Sequence, residues 1–423
     1  MAVIVQKYGG SSLRDAEALR RVGCRIAATV ADGHHVAVVV SAMGATTDEL
    51  LLLANQLTPA PDPREQDLLL STGEIVSMTL LSIALTAAGV PARSFTGPAA
   101  GIRTDDAHGN ARIRAVEAGP VRAALDSGRV ALVAGFQGAA GSGEVTTLGR
   151  GGSDTTAVAL AAALDAEVCE IYTDVDGVYT ADPRLVPTAA KLPHVTYHQM
   201  LELAAHGCRV LHDRCVEYAR NNHVPLHVRS SFTAEPGTWI GHRAGTEAAR
   251  TVTGIAHDTG RILLTLHGLP DTGPDRIATL LHALAGTRLP VHDLHVPGAA
   301  ADLTLTLGLA DLPRALAALT PLRDALGYTA LSHDTLATVT LVGTGVRADP
   351  GVVSRFTQAI RDTNTRPHTL RTTDTTISAT TSAASLPGLV RTLHTAFGLD
   401  AIEVGPTPAS PALAGTADAS HGR

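Results

Sequence analysis

The chain has 423 residues, 45% hydrophobic and 17% charged, a globular balance whose length asks for two or three domains rather than one core. Aromatics make up 3%, the formal net charge is −7 and no run of Lys or Arg stands out, which excludes the basic, ring-bearing surface of a nucleic-acid binder. Cys24, Cys169, Cys208 and Cys215 lack CxxC or metal-finger spacing and read as reduced thiols, while the short opening apolar stretch and short Ala-rich runs argue against signal peptide and membrane span; a cytoplasmic protein is expected.

From the N-terminus, short β-branched runs end in Gly, Ser, Thr or Asp and give way to Ala/Leu-rich helical stretches. Strands are predicted at Val3 to Gln6, Val36 to Val40, Val130 to Ala134, Val168 to Tyr172 and Leu226 to Arg229. Their apolar residues are consecutive rather than alternating, which predicts an α/β domain whose mainly parallel sheet is covered by helices on both faces. Ligands of such sheets gather at the carboxyl ends of the strands, where the Gly-rich segments fall.

After Thr238 the polar, Ala/Gly-rich stretch from Gly241 to Arg250 reads as a linker. Beyond it, Arg261 to Gly268 is a strand leading to a helix with Ile277, Leu280, Leu281 and Leu284, and the pattern returns at Val339 to Gly343 with a helix carrying Val352, Phe356 and Ile360. Two such copies suit a pair of small ferredoxin-like α+β units. The expected division is a domain at 1–240, a linker at 241–253, units at 254–330 and 331–408, and a disordered tail at 409–423.

Lys7-Tyr8-Gly9-Gly10-Ser11-Ser12 lies between a strand and a helix, so backbone N–H groups and the helix's positive end suit a phosphate, with Lys7 to neutralise charge on a transferring phosphoryl group. A plain tight turn with a surface lysine is the equal alternative. Thr146 to Thr156 again runs glycines into a helix: Arg150 can clamp an anion, Ser153 adds a hydroxyl, and Asp154 either caps the helix or orients the lysine. Two anion cradles in one domain favour two acidic ligands meeting head to head. Tyr172 to Arg184 holds three aspartates, but it lacks the closing Glu of an EF-hand and reads as a turn or nucleotide loop. Glu74 stands in Ser71-Thr72-Gly73-Glu74 just before a Leu/Met-rich helix, a place where a Glu ordinarily serves as a helix-start charge.

Together with Ser41-Ala42-Met43-Gly44 and Gly135-Phe136-Gln137-Gly138, these segments resemble the aspartate kinases of the amino-acid kinase fold, of the actinobacterial type, from Ala2 to about Thr238. The later units resemble, more loosely, that family's paired ACT domains. The resemblance implies transfer of the γ-phosphoryl group of Mg-ATP to the side-chain carboxylate of L-aspartate. It implies that Lys7 stabilises the transferring group, with Gly9, Gly10 and Ser11 donating N–H groups, and that Asp154 holds the lysine. Arg150 would clamp the substrate α-carboxylate, Glu74 would take the α-ammonium, and Ser41, Thr47, Gly152 and Ser153 would complete the pocket. Thr173, Asp174, Tyr179 and Arg184 match the adenine and ribose side, and Arg209 stands where the family usually has a phosphate-binding lysine. Mg²⁺ would be carried by the ATP phosphates, without a resident metal site.

Three departures accompany the match. Arg209 keeps the lysine's charge in a larger, planar group. Ile75 replaces a frequent arginine. Pro290-Val291-His292, Val296-Pro297 and Thr365-Arg366-Pro367-His368 lack the asparagines by which the family's ACT units bind feedback amino acids, so weak or absent inhibition by lysine plus threonine is expected. That loss suggests service in a dedicated pathway drawing on the aspartate family of amino acids. Met1, Met43, Met78 and Met200 are the only methionines, so no Met-initiated shorter subunit begins near residue 250, and a homo-oligomer through the ACT-like units is expected. Two alternatives stand beside this reading: a kinase for another amino-acid carboxylate, and a non-catalytic amino-acid sensor, against which the joint presence of Lys7, Asp154, Arg150 and Glu74 argues.

Overall fold

The computed structural model describes residues 1–242, 251–287, 289, 291–296 and 302–401. Most of the expected linker, the whole of the expected tail, Pro290 and Pro297 therefore lie outside the described residues.

The N-terminal half opens with β1 (Val3–Tyr8), α1 (Ala16–Ala31), β2 (His35–Val40), α2 (Thr46–Leu57) and α3 (Pro63–Ala87). It continues through β3 (Ala92–Phe95), β4 (Ile102–Thr104), β5 (Ile113–Val116), α4 (Gly119–Asp126), β6 (Val130–Ala134), β7 (Gln137–Ala139), β8 (Val145–Thr147) and α5 (Gly152–Ala163). It closes with β9 (Val168–Thr173), β10 (His194–Thr196), α6 (Tyr197–Ala205), α7 (Asp213–Asn221), β11 (Leu226–Ser230) and β12 (Thr238–Gly241). The main sheet runs β10-β12-β11-β9-β1-β2-β6-β3, and every neighbouring pair is parallel except β11 with β12. All five predicted strands are present in it. Val36 to Val40 and Val130 to Ala134 are buried without a break, as strands between two helical layers must be. A smaller sheet has the order β5-β4-β7-β8.

Local signals set the helices. Asp15 caps α1 by accepting the Ala18 N–H at 2.8 Å, and Asp62 with Pro63 starts α3. By length and composition α3 could cross a membrane, yet one of its faces is packed in the core and carries the buried acids Asp67 and Glu74, which makes it a core helix.

The C-terminal half contains β13 (Val252–His267), α8 (Pro274–Gly286), β14 (Asp293–His295), β15 (Leu303–Gly308), α9 (Leu312–Leu319), α10 (Arg323–Leu326) and β16 (Ala330–Gly343). Then come α11 (Pro350–Asp362), β17 (Thr369–Thr372), β18 (Thr376–Ser382) and α12 (Leu386–Ala396). One antiparallel sheet, β14-β15-β13-β16-β18-β17, joins two cores. Ile262, Leu264 and Leu266 of β13 pack with α8 and α9, whereas Val252 and Ile255 of the same strand pack with α11 and α12. The cores therefore do not separate along the chain at residue 330. A register shift between Asp258 and Arg261 lets one strand serve both, and this irregularity makes His257 to Gly260 look like an interruption in the sequence.

Candidate functional site

The carboxyl ends of β1, β2, β6 and β9 converge on one mouth. Gly9 N donates to Tyr172 O at 3.2 Å, Ser41 N to Tyr8 O at 3.1 Å, Gly44 N to Gly10 O at 3.0 Å and Gly135 N to Val40 O at 3.0 Å, so the four loops are stitched edge to edge. The tight fit requires small residues. A Cβ on Gly10 would fall 2.7 Å from Ala42 O, and one on Gly135 would fall 2.9 Å from the Ser153 side chain.

Lys7 lies at the end of β1 with its side chain 11% exposed, and Nζ is 2.6 Å from Asp154 Oδ1. Asp154 stands in the first turn of α5, whose N-cap is Gly151 in the left-handed region at φ 67°. It is thus not the cap. It serves the other role open to it, as counter-ion to the lysine. The lysine's Nζ would be 3.7 Å from a Cβ on Gly9, which places the charge against the Gly9-Gly10 backbone. Ser11 is exposed and Ser12 is buried, donating to Ser231 Oγ at 2.8 Å.

Glu74 is the largest departure from the sequence reading of its surroundings. It is in the middle of α3 rather than at a helix start, and it is 3% exposed. Gly73 brings α3 against the loop after β2, where an added Cβ would lie 2.8 Å from that of Ala42. Ala42 N then donates to Glu74 Oε1 at 3.0 Å, while Oε2 is buried with no hydrogen-bond partner. Burial pushes the carboxyl up to about 7, against the Ala42 N–H, which pulls it down. An unpartnered, buried carboxylate oxygen is an opening for a cation. Ser41, half-buried, is fixed through its carbonyl by Ser77 Oγ at 2.7 Å, and the buried Ser153 lies against Gly135.

Other expected residues are only in the neighbourhood. Thr47 lies in the first turn of α2 with no side-chain hydrogen bond among the described residues; Thr46, which begins the helix, donates to Met43 O instead. Arg150 is exposed on the turn before α5 and makes no ion pair among the described residues. On the far side of β1, Thr173 ends β9 and donates to Asp174 Oδ1 at 3.0 Å. Tyr179 is half-buried, and Arg184 pairs with Asp182 at 2.7 Å rather than reaching into the mouth. Arg209 is exposed on the turn after α6, and its charge and that of Arg184 both act on His257. Asp176 accepts from Thr233 and Asp182 from Arg184, so the three aspartates of this segment are turn residues facing different partners. Among the described residues no three His, Cys, Asp or Glu side chains gather as a metal site.

Two supports escaped the sequence reading. Asp67, fully buried on α3, accepts from Thr147 N and from Gly109 N at 3.0 Å each, and from the Thr147 hydroxyl; His108 Nδ1 is 2.9 Å away. Arg214 of α7 completes the clamp, donating to Leu148 O at 2.6 Å and to Ala111 O at 2.9 Å. Together they fix the chain that leads into Gly149-Arg150-Gly151. Phe136 holds a strained φ of 68° beside Gly152, its N–H donating to Thr156 Oγ1 at 3.1 Å.

Residues 2–230 match the model of the amino acid kinase family. Over 410 residues the chain is 47% identical to an aspartokinase of Mycolicibacterium smegmatis, covering 94% of this chain and 97% of that one. An aspartokinase of Thermus thermophilus is 46% identical over 405 residues, covering 95% of this chain and all of its relative. Among solved structures, aspartokinase III of E. coli in complex with aspartate and ADP superposes with a TM-score of 0.78 at 26% identity, covering 93% of this chain and 99% of that one.

Proposed function

The chain belongs to the amino acid kinase family and, within it, to the aspartokinases, and from that premise we propose how its own residues carry the reaction. It is an ATP-dependent aspartate kinase: an oxygen of the substrate's side-chain carboxylate attacks the γ-phosphorus, the bond to the β-phosphate oxygen breaks, and ADP leaves with the electron pair. The attacking carboxylate is already an anion, so no general base is required, and catalysis consists of positioning and charge neutralisation.

The observation that carries the residue assignment is the meeting of the Lys7–Asp154 pair with the unpartnered Oε2 of Glu74 at one mouth. Glu74 takes the α-ammonium, and Arg150 swings in from the exposed turn to clamp the α-carboxylate. Ser41, Thr47, Gly152 and Ser153 border the same pocket. Lys7 faces the γ-phosphoryl group, and the N–H groups of Gly9, Gly10 and Ser11 approach its oxygens. Thr173, Asp174, Tyr179 and Arg184 take the adenine and ribose side, with Arg209 toward the phosphates. Mg²⁺ enters on the phosphates of ATP. ADP release with Mg-ATP and L-aspartate, set against L-glutamate, tests the reading: turnover with glutamate alone would overturn the aspartate assignment.

Oligomerisation through the C-terminal sheet, whose edges are β14 and β17, cytoplasmic residence and service in an aspartate-derived amino-acid pathway complete the proposal. Weak feedback belongs to it too. Pro290-Val291-His292 stands where the family has an Asn-x-Asp segment and Thr365-Arg366-Pro367-His368 lacks its usual asparagine, and inhibition of more than half by about 5 mM lysine plus threonine, a saturating level on the usual scale, would overturn that part.

A further inference from the structure

The proposed nucleotide loop, residues 174–191, is not completed by the domain that carries it. Ala181 and Val186 are each 3% exposed, and the cluster that buries them includes Ile255, Phe356, Leu389 and Leu393 of the C-terminal half. The backbone is joined as well. Ile255 N donates to Thr180 O at 2.7 Å, an approach allowed by Gly254, where a Cβ would fall 2.8 Å from that oxygen.

Two polar staples hold the loop, at Thr180 and at Thr188. Thr180 Oγ1 accepts the Ala190 N–H at 3.0 Å and lies 2.9 Å from Nε2 of His394, a residue of α12 with no exposed surface. His394 Nδ1 lies 2.8 Å from Asp400 Oδ1, to which the Thr188 hydroxyl also donates. An ionised Asp400 only accepts, so Nδ1 carries the imidazole proton and Nε2 accepts a hydrogen bond from the Thr180 hydroxyl. Hydroxyl, imidazole and carboxylate stand in the order used by hydrolases, but Thr180 is 0% exposed and no substrate can reach it. The group therefore acts by holding.

We propose that His394, seconded by Asp400, is a positioning residue for the nucleotide: through Thr180 and Thr188 it fixes the loop bearing Tyr179 and Arg184 from a helix 214 residues downstream of Thr180. ATP binding then depends on the C-terminal half, and aspartate binding does not. The inference rests on the nucleotide reading of this loop.

Steady-state kinetics of the full chain test it. His394→Leu fills the site without either polar contact and is expected to raise the KM for ATP about tenfold, with the KM for aspartate held within about twofold. Asp400→Asn, at a more exposed position, is expected to raise it about fourfold. A histidine serving only to stabilise the interface would lower the melting temperature and leave both KM values alone. An ATP KM unchanged within about twofold in folded His394→Leu, or equal rises in both KM values, overturns the inference. If that variant does not fold, Asp400→Asn decides by the same criterion. Tyr179→Ala is the control. A raised ATP KM there with none in His394→Leu removes only the positioning role, whereas no change in either removes the nucleotide reading and the inference with it.

Discussion

The two sides of the mouth are supported from different places. The proposed aspartate side takes its polar contacts from within the N-terminal domain, by α3 through Glu74 and Asp67, by α5 through Asp154, and by α7 through Arg214. The proposed nucleotide side is packed into the core of the C-terminal half through Ala181 and Val186. On these proposed assignments, a motion of the C-terminal half would reach the nucleotide side through its packed loop. The element proposed to serve both is β1, through Lys7, and substitutions on either side of it measure how separate the two sides are.

The largest effect is expected at Lys7. Lys7→Ala leaves Asp154 as an uncompensated acid and removes the charge facing the phosphoryl group, so kcat should fall more than about a hundredfold, about 2.7 kcal/mol, with folding intact by circular dichroism. A change in KM alone would move Lys7 to one side of the comparison and out of the chemistry.

Next is Glu74→Gln. The amide keeps an oxygen for Ala42 N but turns an NH₂ toward the ammonium, and the KM for aspartate should rise about thirtyfold, about 2 kcal/mol for a charged hydrogen bond. The ATP KM should stay put. The same variant relieves the burial of a carboxylate, so the free enzyme at neutral pH should melt higher than the parent. Loss of affinity with gain of stability is the signature of a group kept for its ligand. A loss of both would make Glu74 a structural acid.

These residues were not equally legible in the sequence. The parallel sheet and the Gly-rich mouths of β1 and β6 could be read because consecutive apolar runs and glycines are local signals. Asp154 was legible as a pair of options, and only Lys7 at 2.6 Å decides between them. Glu74 and Asp67 are seven residues apart on α3, on the same face as the buried Leu70, Ser71 and Met78, so helical spacing alone could have shown two acids aimed inward. What had no local trace was the joining of distant segments. Nothing near Thr180 announces His394, and β13 looks interrupted at Asp258 because its two ends belong to different cores.

A smaller effect should appear with pH. Burial pushes the Glu74 carboxyl up to about 7, so below that pH it is mostly protonated and, in its proposed role, the substrate ammonium would lose its partner. The aspartate KM should then be about tenfold higher near about pH 6 than near about pH 8, with the ATP KM flat across the range. The sign for stability is opposite to that of an ordinary paired carboxylate. With its folded value raised from 4.5 to about 7, Glu74 costs nothing at low pH and destabilises the free protein progressively as pH rises through that window. Saturating aspartate should flatten the dependence, and a pH-independent aspartate KM would show Oε2 satisfied by something other than substrate.

The smallest effect, and the sharpest division between the sides, is expected at Asp67. Its carboxylate touches no substrate, yet it gathers Thr147, Gly109 and His108 and so fixes the approach to Arg150. Asp67→Asn keeps the volume but exchanges one acceptor oxygen for a donor, leaving the Thr147 or the Gly109 N–H without a partner at a cost of about 1–3 kcal/mol. The melting temperature should fall by a few degrees, and the loosened turn should raise the aspartate KM about fivefold while the ATP KM stays within about twofold. Equal rises in both would mean that the Arg150 turn and the nucleotide loop move together, and that the C-terminal half grips the whole mouth instead of one side of it.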